Sequence, residues 1–151
     1  MATLTLEAAN SIIKAALARG AELGLSPLTV GVLDAGGHLI AFQRQDNSSI
    51  LRFEIATGKA YAALGMGRSS RALAAVAAER PAFINSLMAA SGGRVVPVPG
   101  GVLVKDGDGT TIGAVGISGD TSDQDELCAI AGIKAAGLAS DPGDPAEPST
   151  G

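Results

Sequence analysis

One histidine, His38, is the first residue whose surroundings suggest chemistry. It follows Gly36 and Gly37 in the stretch "VGVLDAGGHLIAFQRQD", between two runs that both read as apolar strands. Histidine is the side chain whose unshifted pKa lies near neutrality, so His38 could transfer a proton or bind a metal ion. The opposing interpretation is a solvated residue at the end of a strand.

Other ionisable residues border glycine turns or apolar stripes in the same part of the chain: Asp34, Arg44, Asp46, Lys59 and Tyr61. In "RFEIATGKAYAAL", Lys59 lies beside a predicted buried stripe, where its ammonium group either extends to water or points into a cleft that lowers its pKa. Arg44 or Lys59 could bind a carboxylate or a developing oxyanion. His38 or Asp34 could move a proton. We therefore expect the side chains of His38, Arg44 and Lys59 to converge on one hollow at the mouth of the first hairpin.

Three further motifs look like sites but lack the context that a site requires. "GMGRSS" follows a helical segment rather than a strand, which favours a helix-breaking linker over a phosphate loop. "DGDG" at residues 106–109 lacks the third acid and the closing glutamate of a calcium loop, so a hairpin turn is predicted. Cys128 lies in the apolar helical run "DELCAIAGI", which indicates a small buried side chain, and a single cysteine excludes an internal disulfide.

Helix and strand signals fit an antiparallel sheet with helices packed on it. Hydrophobic spacing predicts helices at residues 5–23, 49–64, 70–78, 81–90 and 121–138, with Thr5 or Thr3, Ser49, and Ser69 or Ser70 as caps. Strands are predicted at residues 29–34, 38–43, 102–105 and 111–118, in two hairpins. "SGDTSDQDE" predicts that Asp125 caps the last helix rather than contacting a ligand. Hairpins between helices imply an α+β domain and not a doubly wound dinucleotide fold.

Composition and charge restrict the class of protein. The 151 residues fit one domain, predicted to span residues 1–139, followed by a flexible acidic tail rich in proline and glycine at 140–151. The net charge is −4 and the basic residues are scattered, which argues against binding to nucleic acid or to an anionic membrane surface. No segment has the roughly 18 apolar residues of a membrane span and no leader pattern opens the chain, so a cytoplasmic protein is predicted.

Four separated motifs, in one order along the chain, resemble the GlcG/HbpS-like haem-binding family, which is also found as the C-terminal domain of PduO proteins. They are "VGVLDAGGHLIAFQRQDNSS", "EIATGKAYAAL", "VPVPGGVLV" and "IGAVGISGDTSDQDELCAIAGIKA". The resemblance implies a profilin-like α+β fold, in which helices flank a five-stranded antiparallel sheet, and a homo-oligomer between a dimer and an octamer. It also implies haem as a ligand, with a sensor role or an accessory role in small-molecule catabolism.

For haem, the iron ligand with the strongest claim is His38, and the other candidates are Tyr61, Met66, Met88 and Cys128. The propionates would need a cation from among Arg44, Arg52, Lys59, Arg68 and Arg94. Glycine turns and polar neighbours are expected to contact the ligand, namely Gly36, Gly37, Asp46, Tyr61, Gly100 and Gly101. The alternative function is a cofactor-free lyase, isomerase or hydrolase that uses His38, Lys59, Asp34 and Arg44 on a small polar or anionic metabolite. A third interpretation is a structural oligomer whose Gly- and Ala-rich faces make subunit contacts.

Overall fold

Five helices and five strands build the described part of the chain, residues 3–145 of the computed structural model. The helices are α1 (Leu6–Glu22), α2 (Arg52–Met66), α3 (Ser70–Glu79), α4 (Pro81–Ala90) and α5 (Ser122–Ala135). The strands are β1 (Thr29–Asp34), β2 (Leu39–Arg44), β3 (Gly101–Lys105), β4 (Thr111–Ser118) and β5 (Ala139–Asp141). They form one antiparallel sheet in the order β2-β1-β4-β3-β5, which confirms the predicted α+β class. Within residues 3–145, no helix has both the length and the apolar character needed to cross a membrane.

Side-chain caps fix most helix starts where the sequence predicts them. The hydroxyl groups of Thr5, Ser69 and Thr121 accept backbone N–H groups of the first turns of α1, α3 and α5. The predicted cap at Ser49 is wrong, because α2 begins at Arg52 and none of the described side chains caps it. Ser49 instead forms the turn ahead of the helix, where its carbonyl accepts the N–H of Arg52 at 3.1 Å.

The C-terminal boundaries also differ from the prediction. Helix α5 ends at Ala135 rather than near Leu138, because Gly137 adopts a left-handed conformation with φ +77°. Residues 139–141 form β5 against β3, so the predicted tail does not begin at residue 140. A strand of three residues is too short to show a period in the sequence. The rest of the predicted tail, from residue 146 onward, lies outside the described residues.

The two faces of the sheet bury different side chains. Helices α1 and α5 cover one face, where Ile12, Val32, Val115 and Ile133 belong to the main aliphatic core. Helix α2 covers the other face, where its Ala60 belongs to a smaller cluster with Leu33, Leu103 and Ala114 of the sheet. This division follows from the alternation of side chains along each strand. The face under α2 also carries three glycines, which make its middle flatter than the opposite face.

A row of three glycines crosses this flatter face. Gly31 of β1 pairs with Gly116 of β4, and Gly116 pairs in turn with Gly101 of β3. The three lie side by side across the middle of the sheet, and none places a Cβ atom between the sheet and α2. We call these three residues the glycine row.

The backbone of α2 lies directly on the glycine row. A Cβ atom at Gly116 would lie 1.8 Å from the carbonyl oxygen of Ala56, and one at Gly101 would lie 2.1 Å from the carbonyl oxygen of Lys59. Both distances are far below van der Waals contact with backbone atoms that cannot turn aside. The glycine row therefore determines how closely α2 approaches the sheet.

We predict that Gly116→Ala destabilises the fold by about 3 kcal/mol or more, because α2 must move away from the sheet to make room for the methyl group. The matched control is Gly65→Ala on α2 itself, where no described atom outside the local helix lies within 4 Å of the added Cβ. The control should stabilise the fold by about 0.5–1 kcal/mol, since alanine favours a helix. Urea unfolding followed by circular dichroism measures both, and equal midpoints would contradict the assignment.

Candidate functional site

A cavity of about 420 Å³ opens between the first hairpin, α2 and the loop after α4. We call it the hairpin cavity. The hairpin contributes Leu33, Gly37 and Leu39, α2 contributes Phe53, Glu54, Thr57, Gly58 and Tyr61, and the loop contributes Gly92, Gly93 and Arg94. Its walls are mostly apolar with a few polar groups, which is the composition of small-molecule sites.

Four of the five cavity residues of α2 form one stripe of the helix. Glu54, Thr57, Gly58 and Tyr61 are spaced i, i+3, i+4 and i+7, so they point in one direction. The adjacent stripe carries Ala60, which is fully buried against the sheet. The rotation of α2 about its own axis thus decides which side chains reach the cavity.

Tyr61 and Arg94 form a stacked pair inside the hairpin cavity. The guanidinium carbon of Arg94 lies 3.7 Å from the centre of the Tyr61 ring, which is a cation–π contact. The loop that carries Arg94 is held to α2 by a hydrogen bond of 3.2 Å from the N–H of Val96 to the carbonyl of Gly58. A Cβ atom at Gly58 would lie 2.7 Å from the carbonyl oxygen of Arg94, so only glycine allows this approach. The cavity therefore presents a phenol and a cation together.

His38 and Asp34 form a second polar pair at the turn of the first hairpin. The Nδ1 atom of His38 lies 3.2 Å from Oδ1 of Asp34, and the same oxygen accepts the N–H groups of Gly36 and His38 at 2.9 Å. The N–H of His38 is the main cause that lowers the pKa of Asp34. The imidazole is 82% exposed. Because Nδ1 faces Asp34, Nε2 is the nitrogen available to a ligand.

The two glycines of this turn face different surroundings. A Cβ atom at Gly37 would lie 3.4 Å from the ring of Tyr61, whereas one at Gly36 would lie 3.0 Å from the ring of His38. Gly37 also adopts φ +83°, which only glycine does without strain. The turn consequently borders the hairpin cavity through Gly37 and the imidazole through Gly36.

A second cavity of about 380 Å³ lies beside Asp34 and Gly36, and we call it the turn cavity. It is bounded by both hairpin turns and the start of the chain, through Thr3, Leu4, Asp34, Ala35, Gly36, Ile40, Thr110, Thr111 and Ile112. His38 stands at its edge through its contact with Asp34. The hydroxyl groups of the threonines give it hydrogen-bonding capacity.

Lys59 neither reaches water nor points into a cleft. Its side chain is 2% exposed, and Nζ donates to the carbonyl of Ile117 at 2.8 Å and to Oδ2 of Asp125 at 3.1 Å. Burial is the main cause that lowers the pKa of Lys59 and raises the pKa of Asp125, and the attraction between the two charges opposes both shifts. Asp125 also accepts the N–H of Asp120, ahead of α5. Because Thr121 caps α5 and Asp120 precedes the helix, the predicted capping role of Asp125 is wrong, and its ion pair with Lys59 was not predicted.

Arg44 and Asp46 lie at the far end of β2 from His38. Six residue steps along the extended strand lead from His38 to Arg44, which corresponds to roughly 20 Å. Arg44 and Asp46 border a shallow depression of about 520 Å³ together with Ser26 and Pro27. With Lys59 buried, the predicted convergence of His38, Arg44 and Lys59 is wrong. The function of each residue alone stays a prediction.

Gly100 and Gly101 pack against Lys59 rather than bordering the hairpin cavity. A Cβ atom at Gly100 would lie 2.9 Å from Nζ of Lys59, and the N–H of Gly101 donates to the buried hydroxyl of Ser70 at 2.7 Å. Gly100 also adopts φ +122°. Both positions are glycine because a side chain there would collide with Lys59 or with the backbone of α2.

Among the candidates for iron, Tyr61 reaches the hairpin cavity. Cys128 is fully buried in the main core, where burial raises its pKa to about 11. Met66 packs in a satellite core with α3, and Met88 lies on α4. Among the cations, Arg52 donates to Ser118 at 2.9 Å, and Arg94 borders the cavity. The sequence did not predict the apolar walls of the hairpin cavity, because these residues come together only in the folded chain.

The described chain is thus an α+β domain with one antiparallel sheet between helices and an apolar cavity beside the first hairpin. Residues 4–134 match the family described as "Haem degrading protein HbpS-like", and the chain belongs to that family. This finding confirms the resemblance. The chain is also 33% identical over 129 residues to an uncharacterised 15.0 kDa protein from the dhaT-dhaS intergenic region of Citrobacter freundii, which covers 85% of this chain and 89% of that protein.

Solved structures of the same kind are similar over nearly the whole chain. The crystal structure of a PduOC–haem complex has a TM-score of 0.83 and 28% identity, and covers 93% of this chain and 99% of that chain. Protein ORFY of Klebsiella pneumoniae has a TM-score of 0.81 and 25% identity, covering 91% and 92%. HbpS has a TM-score of 0.76 and 27% identity, covering 89% and 90%. These matches confirm the fold that the resemblance implied.

We predict that Cys128 reacts slowly with iodoacetamide in the native protein at pH 8, since its thiol is buried and its raised pKa leaves little thiolate. In denaturant the same thiol should be alkylated within minutes. Mass spectrometry counts the added group in both conditions. Equal rates of alkylation would contradict the burial of this residue.

Proposed function

We propose that the protein binds haem in the hairpin cavity, with the phenol of Tyr61 as the iron ligand and Arg94 as the partner of a propionate. The observation that carries the proposal is the stacked pair of Tyr61 and Arg94 inside a mostly apolar cavity. A phenolate is one of the side-chain groups that hold haem iron in proteins, and a guanidinium group binds carboxylates in a bidentate manner. The membership in a haem-degrading family supports the same ligand.

The residues present fit such a group. Leu33, Leu39 and Phe53 supply apolar surface for a porphyrin, and the cavity volume falls in the roughly 300–1,000 Å³ range of small-molecule sites. Bound haem would supply an iron centre for redox and oxygen chemistry. The chain itself would hold the iron through Tyr61, orient a carboxylate through Arg94 and exclude water through its apolar walls.

His38 is the competing iron ligand. Histidines that bind metals usually donate their other N–H to a carboxylate, and Asp34 holds Nδ1 of His38 in that way. The imidazole is exposed and does not line the hairpin cavity, whereas its neighbours Gly37 and Leu39 do. Its Nε2 atom would therefore meet a haem that extends beyond the cavity mouth.

A homo-oligomer is part of the same proposal. Ile50 and Leu51, just ahead of α2, are 85% and 63% exposed, and contiguous apolar exposure of this kind favours a protein contact. We further propose a sensor or accessory role in small-molecule catabolism, which rests on the family resemblance alone. Light scattering would measure the subunit number, and a monomer at micromolar concentration would argue against the oligomer.

We predict that haemin titration of the wild type produces a shifted Soret band, and that Tyr61→Phe abolishes this shift, because it removes the phenol oxygen and little else. Arg94→Gln should weaken binding about tenfold, or about 1.4 kcal/mol, by loss of the propionate partner. His38→Ala is the matched variant and should keep the band. A band that is lost in His38→Ala but kept in Tyr61→Phe would show that His38, and not Tyr61, is the iron ligand. An unshifted band in the wild type would reject haem.

A second function is favoured by the imidazole–carboxylate pair beside the turn cavity. Asp34 orients Nδ1 of His38, so that Nε2 could accept a proton from a small carbonyl compound bound among the threonine hydroxyls. We propose proton transfer of the lyase or isomerase type as the alternative activity. Lys59 and Arg44 lie elsewhere in the structure and take no part in this proposed activity.

We predict that this activity, if present, exchanges the acidic α-proton of a small carbonyl substrate for deuterium in D₂O, as followed by NMR. His38→Gln should abolish exchange because it removes the base, while Tyr61→Phe should leave it unchanged. Exchange at equal rates in the wild type and His38→Gln would reject His38 as the base.

A further inference from the structure

We propose that Lys59 and Asp125 are positioning residues for the hairpin cavity: their buried ion pair sets the place of α2 along the sheet and so brings Tyr61 and Arg94 together. The inference rests on the proposed function only in taking haem as the ligand of the cavity. The placement of Tyr61 can be tested with no haem present.

The ion pair joins three elements at one point. Nζ of Lys59, on α2, donates to the carbonyl of Ile117 in β4 and to Oδ2 of Asp125 in α5. Oδ1 of Asp125 accepts the N–H of Asp120, which fixes the carboxylate from its other side. The carboxylate and the ammonium group are both almost completely buried. Any displacement of α2 would therefore break contacts that water cannot replace.

The glycine row explains why such a contact matters for the position of α2. Gly101 and Gly116 let α2 approach the sheet closely, but they offer no side chains that could interlock with the helix. Ordinary helix packing fixes position through ridges that enter grooves, and a glycine surface provides few of them. Leu33 and Leu103 of the sheet pack against α2 beside the row, and the ion pair adds a directional contact that determines the position of the helix along it.

The position of α2 reaches the cavity by two routes. Gly58 and Tyr61 belong to the same rigid helix as Lys59, so they move with it. The carbonyl of Gly58 also accepts the N–H of Val96, and the loop that includes Val96 carries Arg94 onto the Tyr61 ring. Because this loop runs on into β3 at Gly101, a shift of α2 along the sheet would strain the loop's bond to α2, weaken the Tyr61–Arg94 stack and move Tyr61 away from the hairpin turn.

The charged residues nearest to the pair contact other groups, and Lys59 is the cation that Asp125 faces. Glu126, the next residue, is bound by Arg71 through both carboxylate oxygens at 3.0 Å. Arg52 lies near enough to Lys59 to oppose its charge, but its guanidinium group donates to the hydroxyl of Ser118. The pair is thus a distinct contact and not one link of the α3–α5 salt bridges.

The test compares Lys59→Met with the double variant Lys59→Met/Asp125→Asn. The single variant leaves a carboxylate buried without its cation and is expected to lose stability. The double variant removes that charge and keeps an oxygen for the N–H of Asp120, so it should recover much of the lost melting temperature. If the pair positions α2, the double variant stays defective at the cavity although it is folded.

Tyr61 itself provides the readout, because the chain contains one tyrosine and no tryptophan. In the double variant, acrylamide should quench Tyr61 fluorescence more strongly than in the wild type, since the Arg94 stack is lost. Haemin should bind at least about tenfold more weakly. The control is Ile133→Ala in α5, which removes buried core volume on the opposite face and should leave quenching unchanged.

The outcomes separate the two proposals. Unchanged Tyr61 quenching in the folded double variant overturns the positioning role, whatever haemin does. Increased quenching with no Soret shift in the wild type rejects haem and retains the positioning role. Increased quenching in Ile133→Ala as well would mean that general loss of stability, rather than the ion pair, loosens the cavity, and it would overturn the inference.

Discussion

The close contact between α2 and the glycine row is the constraint on which the rest of the structure depends. A helix normally stands off a sheet by the length of the side chains between them, but here backbone meets backbone at Gly116 and Gly101. Because α2 lies so near, its inward lysine cannot extend past the sheet to water. The same proximity brings Tyr61 to the hairpin turn, where a Cβ atom at Gly37 would already touch its ring. The buried charge and the cavity are thus two consequences of one packing arrangement.

Asp34 and Asp125, which pair with His38 and Lys59, illustrate how burial changes what such a pair can do. Asp34 lies at an exposed turn, where backbone N–H groups lower its pKa and His38 stays in contact with solvent. Asp125 is enclosed, and burial raises its pKa and lowers the pKa of Lys59, so that the neutral form of each is favoured. A pair in water can exchange protons with a substrate, whereas an enclosed pair serves best as a fixed contact. The two pairs have similar chemistry, and their burial is what distinguishes them.

Local signals in the sequence predicted the fold far better than the site. Caps such as Thr5 and turns such as Gly36-Gly37 act within a few residues, so they can be read without knowing the fold. The site needs long-range information. Sequence proximity placed Arg44 near His38, yet an extended strand carries them to opposite ends. Gly37 and Tyr61 were both predicted ligand contacts, and they do line one cavity, but its third wall comes from a loop more than thirty residues further along, which periodicity cannot place.

The first hairpin turn links the two functions that remain proposals. Asp34 closes the turn by accepting two N–H groups, and the same oxygen holds the imidazole of His38. Gly37, one residue earlier, must be glycine because of its positive φ, and its missing side chain leaves room for Tyr61. One short turn therefore orients a base toward solvent on one side and completes an apolar cavity on the other. A ligand large enough to pass over the turn would contact both Tyr61 and His38, so a planar cofactor uses this geometry more fully than a small metabolite would.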